Sequence, residues 1–385
     1  MTIEEVSGLD GFLQLESLWG SVCRDSGYDS FFLSHPWFRC CLMGLADGVE
    51  PLVLLVRDSS AVVGIVPLLS QRTSWRVFPT RLLSVMQNQD SPFVDLILPR
   101  KHTARALTTL FEHLSARSGW DMWAAARIDC ASATAHRLAA CLDGQRHLRA
   151  LCGRSPILNV EGTWEDFWKA QSQRFKKTVR NVTNRVERLG RIDIIDQATV
   201  GTAADCLDVF QAVAAKSWKA ALPVSVTGNA GIANFFRELT AAVHARGQLA
   251  LWVLRLDGVP ISTEYHVRDG DTVYALRSDF DERYREVSPG AHLNAFIMRT
   301  YFERDVRVYD MGPGESEYKR RWATGEREFE TFWLFRQSPY ALALYNVEHH
   351  AVPRLRRARE WWHRSGEHLD ARVGTSPFGV RRNGS

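Results

Sequence analysis

The stretch Leu249-Ala-Leu-Trp-Val-Leu-Arg-Leu-Asp-Gly-Val-Pro-Ile-Ser-Thr-Glu-Tyr-His-Val267 decides the fold. Two apolar runs flank Asp257-Gly258, the short-range signature of a β-hairpin. A third strand, Thr272 to Ser278, follows and leads into Asp279-Phe-Asp-Glu-Arg-Tyr-Arg-Glu-Val-Ser-Pro-Gly-Ala-His-Leu293. Pro289 and Gly290 mark the opening of a helix, because a first helical position has no use for the N–H that proline lacks. A helix that starts just past a strand turns backbone N–H groups outward, where they can hold a phosphate. Another strand, Val306 to Met311, comes next and ends on Gly312-Pro-Gly314.

Working outward, Leu52-Val-Leu-Leu-Val-Arg-Asp-Ser-Ser-Ala-Val-Val-Gly-Ile-Val-Pro-Leu-Leu69 has the same plan: apolar strand, Arg, Asp-led turn, second strand. The flanks match as well. Helical sequence at 12–23 and 36–45 precedes the first hairpin, and at 203–218 and 232–245 the second. Helices at 103–117 and 291–303 follow them. This order predicts an α/β (α+β) chain of two tandem halves, each a mixed, mostly antiparallel sheet flanked by helices. The expected boundaries are 1–155, a basic linker helix at 156–190, a second half at 191–338 and a basic tail at 339–385.

The linker reads as one helix from an N-cap at Thr163 to a stop at Gly190, with Phe175, Val179, Val182, Val186 and Leu189 on one apolar stripe. Arg174, Lys176, Lys177, Arg180, Arg185, Arg188 and Arg191 occupy the other face, either facing water or lining an inter-domain cleft. In the tail, Pro353 to Arg364 reads as a short basic helix.

Composition limits the classes. With 385 residues, 45% hydrophobic and 24% charged, the chain has the balance of an ordinary two-domain soluble protein. A net charge of +4 tolerates a polyanionic partner without demanding one. The seven cysteines form no C-x-x-C pair, which points to reduced thiols, and neither they nor the twelve histidines make a metal constellation. An acidic start, Met1-Thr-Ile-Glu-Glu, is unlike a signal peptide, and no apolar run approaches the roughly 20 residues of a membrane span. A cytoplasmic location is expected.

The string Asp279 to Leu293, together with Tyr309-Asp-Met-Gly-Pro-Gly-Glu-Ser-Glu-Tyr-Lys-Arg-Arg-Trp322, resembles the signature of GNAT-superfamily acyltransferases. The branch is the CelD-like or BioF2-like acetyltransferase domain associated with cellulose biosynthesis, related in fold to the Fem-type peptidyltransferases. Ser155-Pro-Ile-Leu-Asn159 before the linker and Phe31-Phe-Leu-Ser-His-Pro-Trp-Phe38 are also similar to it, so the likeness covers residues 10–335. It implies two GNAT-like halves, an acetyl-CoA or other acyl-CoA donor, no metal, and an amine or hydroxyl acceptor. One departure stands out. The usual phosphate loop, Arg/Gln-x-x-Gly-x-Gly/Ala, is here Arg285-Glu-Val-Ser-Pro-Gly-Ala291, and Pro289 removes one N–H donor.

Direct transfer from a thioester needs a held donor, a neutral amine and a donor group for the oxyanion. Donor binding is expected on Leu276, Arg277 and Ser278 of the strand, then on Arg285, Ser288, Gly290, Ala291 and His292 at the helix mouth. For a general base, Glu264 and His266 share a strand face by alternation, and Asp279 at a strand end is a second candidate. Asp310 either caps the following loop or faces the acceptor, and Lys319 is placed to bind a phosphate or the acyl carbonyl. The first half has no Pro-Gly helix mouth and is expected to shape the acceptor cleft. The reaction expected is acyl transfer to an amine of an amino sugar, sugar nucleotide or small metabolite. Its rivals are aminoacyl transfer from a charged tRNA and a non-catalytic accessory role in polysaccharide synthesis.

Overall fold

The computed structural model describes residues 1–45, 48–314 and 317–351; the expected basic helix at 353–364 lies outside the described residues. The first half runs β1 (Thr2–Ser7), α1 (Gly8–Leu13), α2 (Glu16–Ser26), α3 (His35–Met43), β2 (Val49–Asp58), β3 (Ala61–Trp75) and β4 (Phe78–Val85). It continues with α4 (Thr103–Ala116), β5 (Met122–Asp129), α5 (Ala133–Leu142) and β6 (His147–Asn159). After α6 (Trp164–Ala170) and α7 (Gln173–Glu187) the same order returns: β7 (Ile192–Asp196), α8 (Ala203–Ala214), α9 (Ala230–His244), β8 (Leu249–Leu256), β9 (Val259–Asp269) and β10 (Thr272–Phe280). α10 (Pro289–Phe302), β11 (Val308–Asp310), α11 (Glu317–Trp322) and β12 (Gly325–Phe335) complete it, and α12 (Pro339–Asn346) follows.

All strands join one twelve-stranded sheet, β1-β2-β3-β4-β5-β12-β6-β11-β10-β9-β8-β7. In each half four strands pair antiparallel and a helical crossover adds a fifth in parallel: β4 to β5 through α4, β10 to β11 through α10. The halves meet by exchange. β12 lies between β5 and β6, and β6 lies between β12 and β11, so each half is closed by a strand belonging in sequence to the other. The expected boundary at 155/156 therefore falls inside β6, in the middle of the shared sheet.

Alternation along the strands decides the two faces. Val53, Leu55, Leu251 and Val253 pack with α2, α3, α8 and α9 in one core that draws on both halves. Their neighbours Leu52, Leu54 and Val56 face α4 and α5, while Trp252 and Leu254 face α7 and α10. The turn of the second hairpin has φ of 49° at Asp257 and 83° at Gly258, the left-handed pair that a two-residue hairpin demands. Thr202 and Asp205 close α8 with a capping box.

The linker is two helices where one was expected. Gln171 is extended and Ser172 caps α7 by accepting from the Phe175 N–H, so the chain breaks and restarts. Trp164, Phe167 and Trp168 of α6 stack on Trp322, which also meets Phe175 at 4.7 Å between ring centroids.

Candidate functional site

β10 and β11 pair only over Thr272–Tyr274 and Val308–Asp310. β10 then continues to Phe280 while β11 ends, and the strands part. A register shift between Ala275 and Arg277 puts a bulge at Leu276, which re-aims β10 at the point of separation. Gly312 turns the chain close beside β10: its φ is 75°, and a Cβ there would stand 2.7 Å from the Ala275 carbonyl oxygen. The edge of β10 thus exposed can pair with an amide-bearing chain. A cleft of about 840 Å³ fills the gap and is lined on this side by Ala275, Leu276, Arg277 and Ser278.

At the α10 face of the sheet the cleft is bounded by Arg285, Ser288, Gly290 and Ala291. Ser288 is left-handed, with φ 59° and ψ 59°. Its carbonyl accepts from the N–H groups of Ala291 (3.1 Å) and His292 (3.3 Å). Of the N–H groups that follow Pro289, those of Ala291 and His292 bond to Ser288, and that of Leu293 is far enough in for the helix's own ladder. Among the described residues the Gly290 N–H has no protein acceptor; it lies near the exposed Arg285, which pairs with Glu282 at 2.9 Å. His292 turns away from the cleft: its Nδ1 lies 3.3 Å from Thr183 Oγ1 on α7, and burial lowers its pKa against the pull of Glu187.

Glu264 lines the cleft floor and is 3% exposed. Ser278 Oγ donates to its Oε1 at 2.7 Å, and His266 Nε2 lies 3.5 Å from Oε2. His266 is fully buried behind it, its Nδ1 2.7 Å from the Tyr301 hydroxyl and its Nε2 3.3 Å from that of Tyr309. Of the two residues read as sharing a face, Glu264 reaches the cleft and His266 sits behind it.

Asp279 lies off the main cleft, in a small recess beside Ser225 and Val226, with Lys219 Nζ 3.5 Å away. Burial raises its pKa, and the Lys219 charge pulls the other way. Asp310 is 1% exposed and wholly engaged: it accepts from Ser155 Oγ, from the Gly312 N–H at 2.9 Å and from Arg327 at 3.2 Å. Of its two expected roles the contacts match the loop cap. Lys319 lines the cleft and donates to the carbonyls of Gly312 (3.0 Å) and Pro313 (3.1 Å), holding the glycine turn. Burial lowers its pKa while Glu264 and Asp310 oppose the shift. Tyr318 also lines the cleft, its hydroxyl 3.4 Å from the Ala291 carbonyl, and burial raises its pKa.

The far wall escaped the sequence reading. Gln89 and Asp90, from the loop after β4, reach across to the second half, where Asp90 pairs with Arg277. Trp218, Leu222 and Val224, between α8 and α9, complete it. The signals were present as a polar turn, Asn88-Gln-Asp-Ser-Pro92, and as the apolar-basic run Trp218-Lys-Ala-Ala-Leu-Pro223, but neither has a fixed partner in sequence. The corresponding splay of the first half is filled by its own chain. Val94 donates to the Arg127 carbonyl at 2.9 Å, and Ile97 exchanges both hydrogen bonds with Ile65.

A parallel crossover, a bulged and splayed strand pair and a helix opening at the splay define the GNAT class of acyltransferases. Residues 173–320 match the family model described as "Acetyltransferase (GNAT) domain". The chain is thus similar, through its second half, to the GNAT acetyltransferase domain. Its fold is similar to that of FemX, with a TM-score of 0.55 at 12% identity over 85% of this chain and 98% of that one. It is also similar to the C-terminal domain of a putative lysylphosphatidylglycerol synthetase from Agrobacterium fabrum (TM-score 0.50, 14% identity, 88% and 96% covered). A conserved protein of unknown function from Bacteroides thetaiotaomicron is similar too (TM-score 0.50, 13% identity, 83% and 97% covered). No curated protein matches the sequence.

Proposed function

We propose that the chain moves an acyl group, acetyl in the simplest case, from acyl-CoA directly to a small-molecule amine. The observation that carries this is the splay itself, an exposed β10 edge that ends opposite the free Gly290 N–H. The β10 edge pairs with the amides of the donor's pantetheine arm, and Gly290 with Arg285 takes its diphosphate. Glu264 accepts the proton of the entering ammonium, which frees the nitrogen lone pair. The amine then attacks the thioester carbon, the C–S bond breaks, and Tyr318, protonated in its buried place, gives its proton to the departing sulfur and regains the one that the acylated nitrogen sheds. Lys319 holds the Met311-Gly312-Pro313 wall in position. The first half supplies Gln89 and Asp90 to the acceptor side. Amino sugars, sugar nucleotides and other small amine metabolites are the acceptors considered, with the reaction in the cytoplasm.

Titration calorimetry with acetyl-CoA tests the donor, and thiol release with added amines tests the reaction. No heat at millimolar acetyl-CoA would remove the donor site and leave the accessory role. A second reading, transfer from an aminoacyl-tRNA, rests on the exposed Arg174, Lys177, Arg180, Arg185 and Arg188 of α7, which packs beside α10. Activity that needs a charged tRNA and falls steeply with salt would select it.

A further inference from the structure

The cleft passes through the plane of the sheet. Its lining comes from α10 on one face and from the segment between α8 and α9 on the opposite face, and the second side has a different chemistry. Trp218 and Leu222 stand there 53% and 39% exposed, among the few large apolar side chains left in water on the described surface. Both turn to the cleft, and Val224, Phe280 and Met311 extend the same apolar lining inward. Two large side chains left wet, side by side on one cleft wall, mark a ligand surface and not a folding need.

The charged groups of this side are already matched. Lys219 lies 3.5 Å from Asp279 and also donates to the Ser278 carbonyl, and Asp90 is paired with Arg277 at 2.7 Å. Glu264 differs: its direct contacts are Ser278 Oγ and His266 Nε2, and Lys319 acts on it through charge. Around Glu264 the cleft also carries Gln89, Asn294 and Lys319, while Trp218, Leu222 and Val224 give the α8/α9 side an apolar wall. Polyhydroxylated bodies need several polar partners, and leaving their hydroxyls unpaired against Trp218, Leu222 and Val224 costs binding.

We infer that the acceptor is an amine carried on an apolar body of ring or short-chain size, which enters from the α8/α9 face. Its ammonium meets Glu264, and its body lies against Trp218, Leu222 and Val224. This rests on the acyl-transfer reading and narrows it away from amino sugars and sugar nucleotides.

Calorimetry and saturation-transfer NMR on the full-length protein, with phenethylamine and glucosamine as probes, test the subsite without turnover. Phenethylamine should bind at least about tenfold more tightly. Trp218→Ala and Leu222→Ser should each weaken it about tenfold, leaving acetyl-CoA binding unchanged. Val77→Ser, at an 82% exposed apolar residue outside the cleft lining, is the control and should change nothing. Equal or tighter binding of glucosamine, no binding of phenethylamine, or indifference to Trp218→Ala overturns the inference. Acetyl-CoA is titrated separately. Heat with acetyl-CoA but no preference between the amines removes this subsite and keeps the donor reading. The amine preference without acetyl-CoA binding keeps the subsite and removes the donor.

Discussion

Arg277 of β10 and Asp90 of the loop after β4 face each other across the junction of the halves, Nε to Oδ1 at 2.7 Å and Nη2 to Oδ2 at 3.0 Å. Both side chains are about nine-tenths buried, and Arg127 holds the same loop by donating to the Ser91 and Gln89 carbonyls. Burial raises the Asp90 pKa against the opposing pull of Arg277. Sequence reading had put Arg277 on the donor; the structure gives its guanidinium to Asp90, leaving its backbone on the cleft wall. Removing one partner strands the other charge, so Asp90→Ala should lose about 3–5 kcal/mol in urea unfolding. Asp90→Leu with Arg277→Met should recover much of that loss. A double variant as unstable as the single would mean that the loop and not the pair is what matters.

Gly290 can be tested without disturbing the fold. A Cβ added there would lie 3.8 Å from Phe280 and from Ser262 Oγ, ordinary contact distances. Gly290→Ala should fold and keep most acetyl-CoA affinity, whereas Gly290→Leu should fold and lose it by a factor of ten or more, as an order-of-magnitude expectation. Calorimetry compares the two, and unchanged affinity in Gly290→Leu would remove the helix mouth from the donor site.

Glu264→Gln keeps an acceptor oxygen for Ser278 Oγ but cannot take a proton. If Glu264 is the base, the turnover rate with acetyl-CoA and amine should fall by about 10²–10⁴ while acetyl-CoA affinity stays level. His266→Gln separates the residue behind it. As a positioning residue it should lower the rate less and leave in place the acidic limb of the pH profile, where a base is lost to protonation.

Both hairpins and the main helices were legible because their signals are local. Asp257-Gly258 sets its own turn, and Leu251, Val253 and Tyr265 alternate with Trp252 and Leu254 whatever lies beyond. The helix start was legible for the same reason, since Ser288, Pro289 and Gly290 shape a helix mouth by themselves. What stayed hidden depends on partners far along the chain. β12 reads as an ordinary closing strand, and only its pairing with β5 and β6 makes it the seam of the two halves. Asp310 is read equally as cap or site until Ser155 and Arg327 are seen to hold it. Trp218 ends the helical run 203–218 in the sequence, and only the fold shows it 53% exposed.

Gly312 couples stability to the site. At φ 75° with the Ala275 carbonyl 2.7 Å from where a Cβ would stand, Gly312→Ala must shift the backbone of β11's exit or of β10. A cost of about 1–3 kcal/mol is expected from the strained backbone. Because the same glycine and Ala275 both line the cleft, acetyl-CoA affinity should drop with stability, in contrast to a remote variant of equal cost. Thermal unfolding and calorimetry on the same sample decide it.

Asp95 gives a pH-dependent test of the plug that fills the first half's splay. Burial raises its pKa from 3.8 to about 6, against the hydrogen bonds from Thr134 and the Leu96 N–H. The folded state thus holds a proton that the unfolded chain has already released between those values. This makes stability fall as pH rises from about 4 to about 6, with the full penalty present above that range. Asp95→Asn removes the ionisation and keeps an acceptor for both donors. The variant should therefore be more stable than the parent by about 1–3 kcal/mol at pH 8 and nearly equal to it at pH 3.5. Urea unfolding of both proteins at the two pH values reads the difference. A gain of the same size at both would trace it to packing in the plug and not to the buried charge.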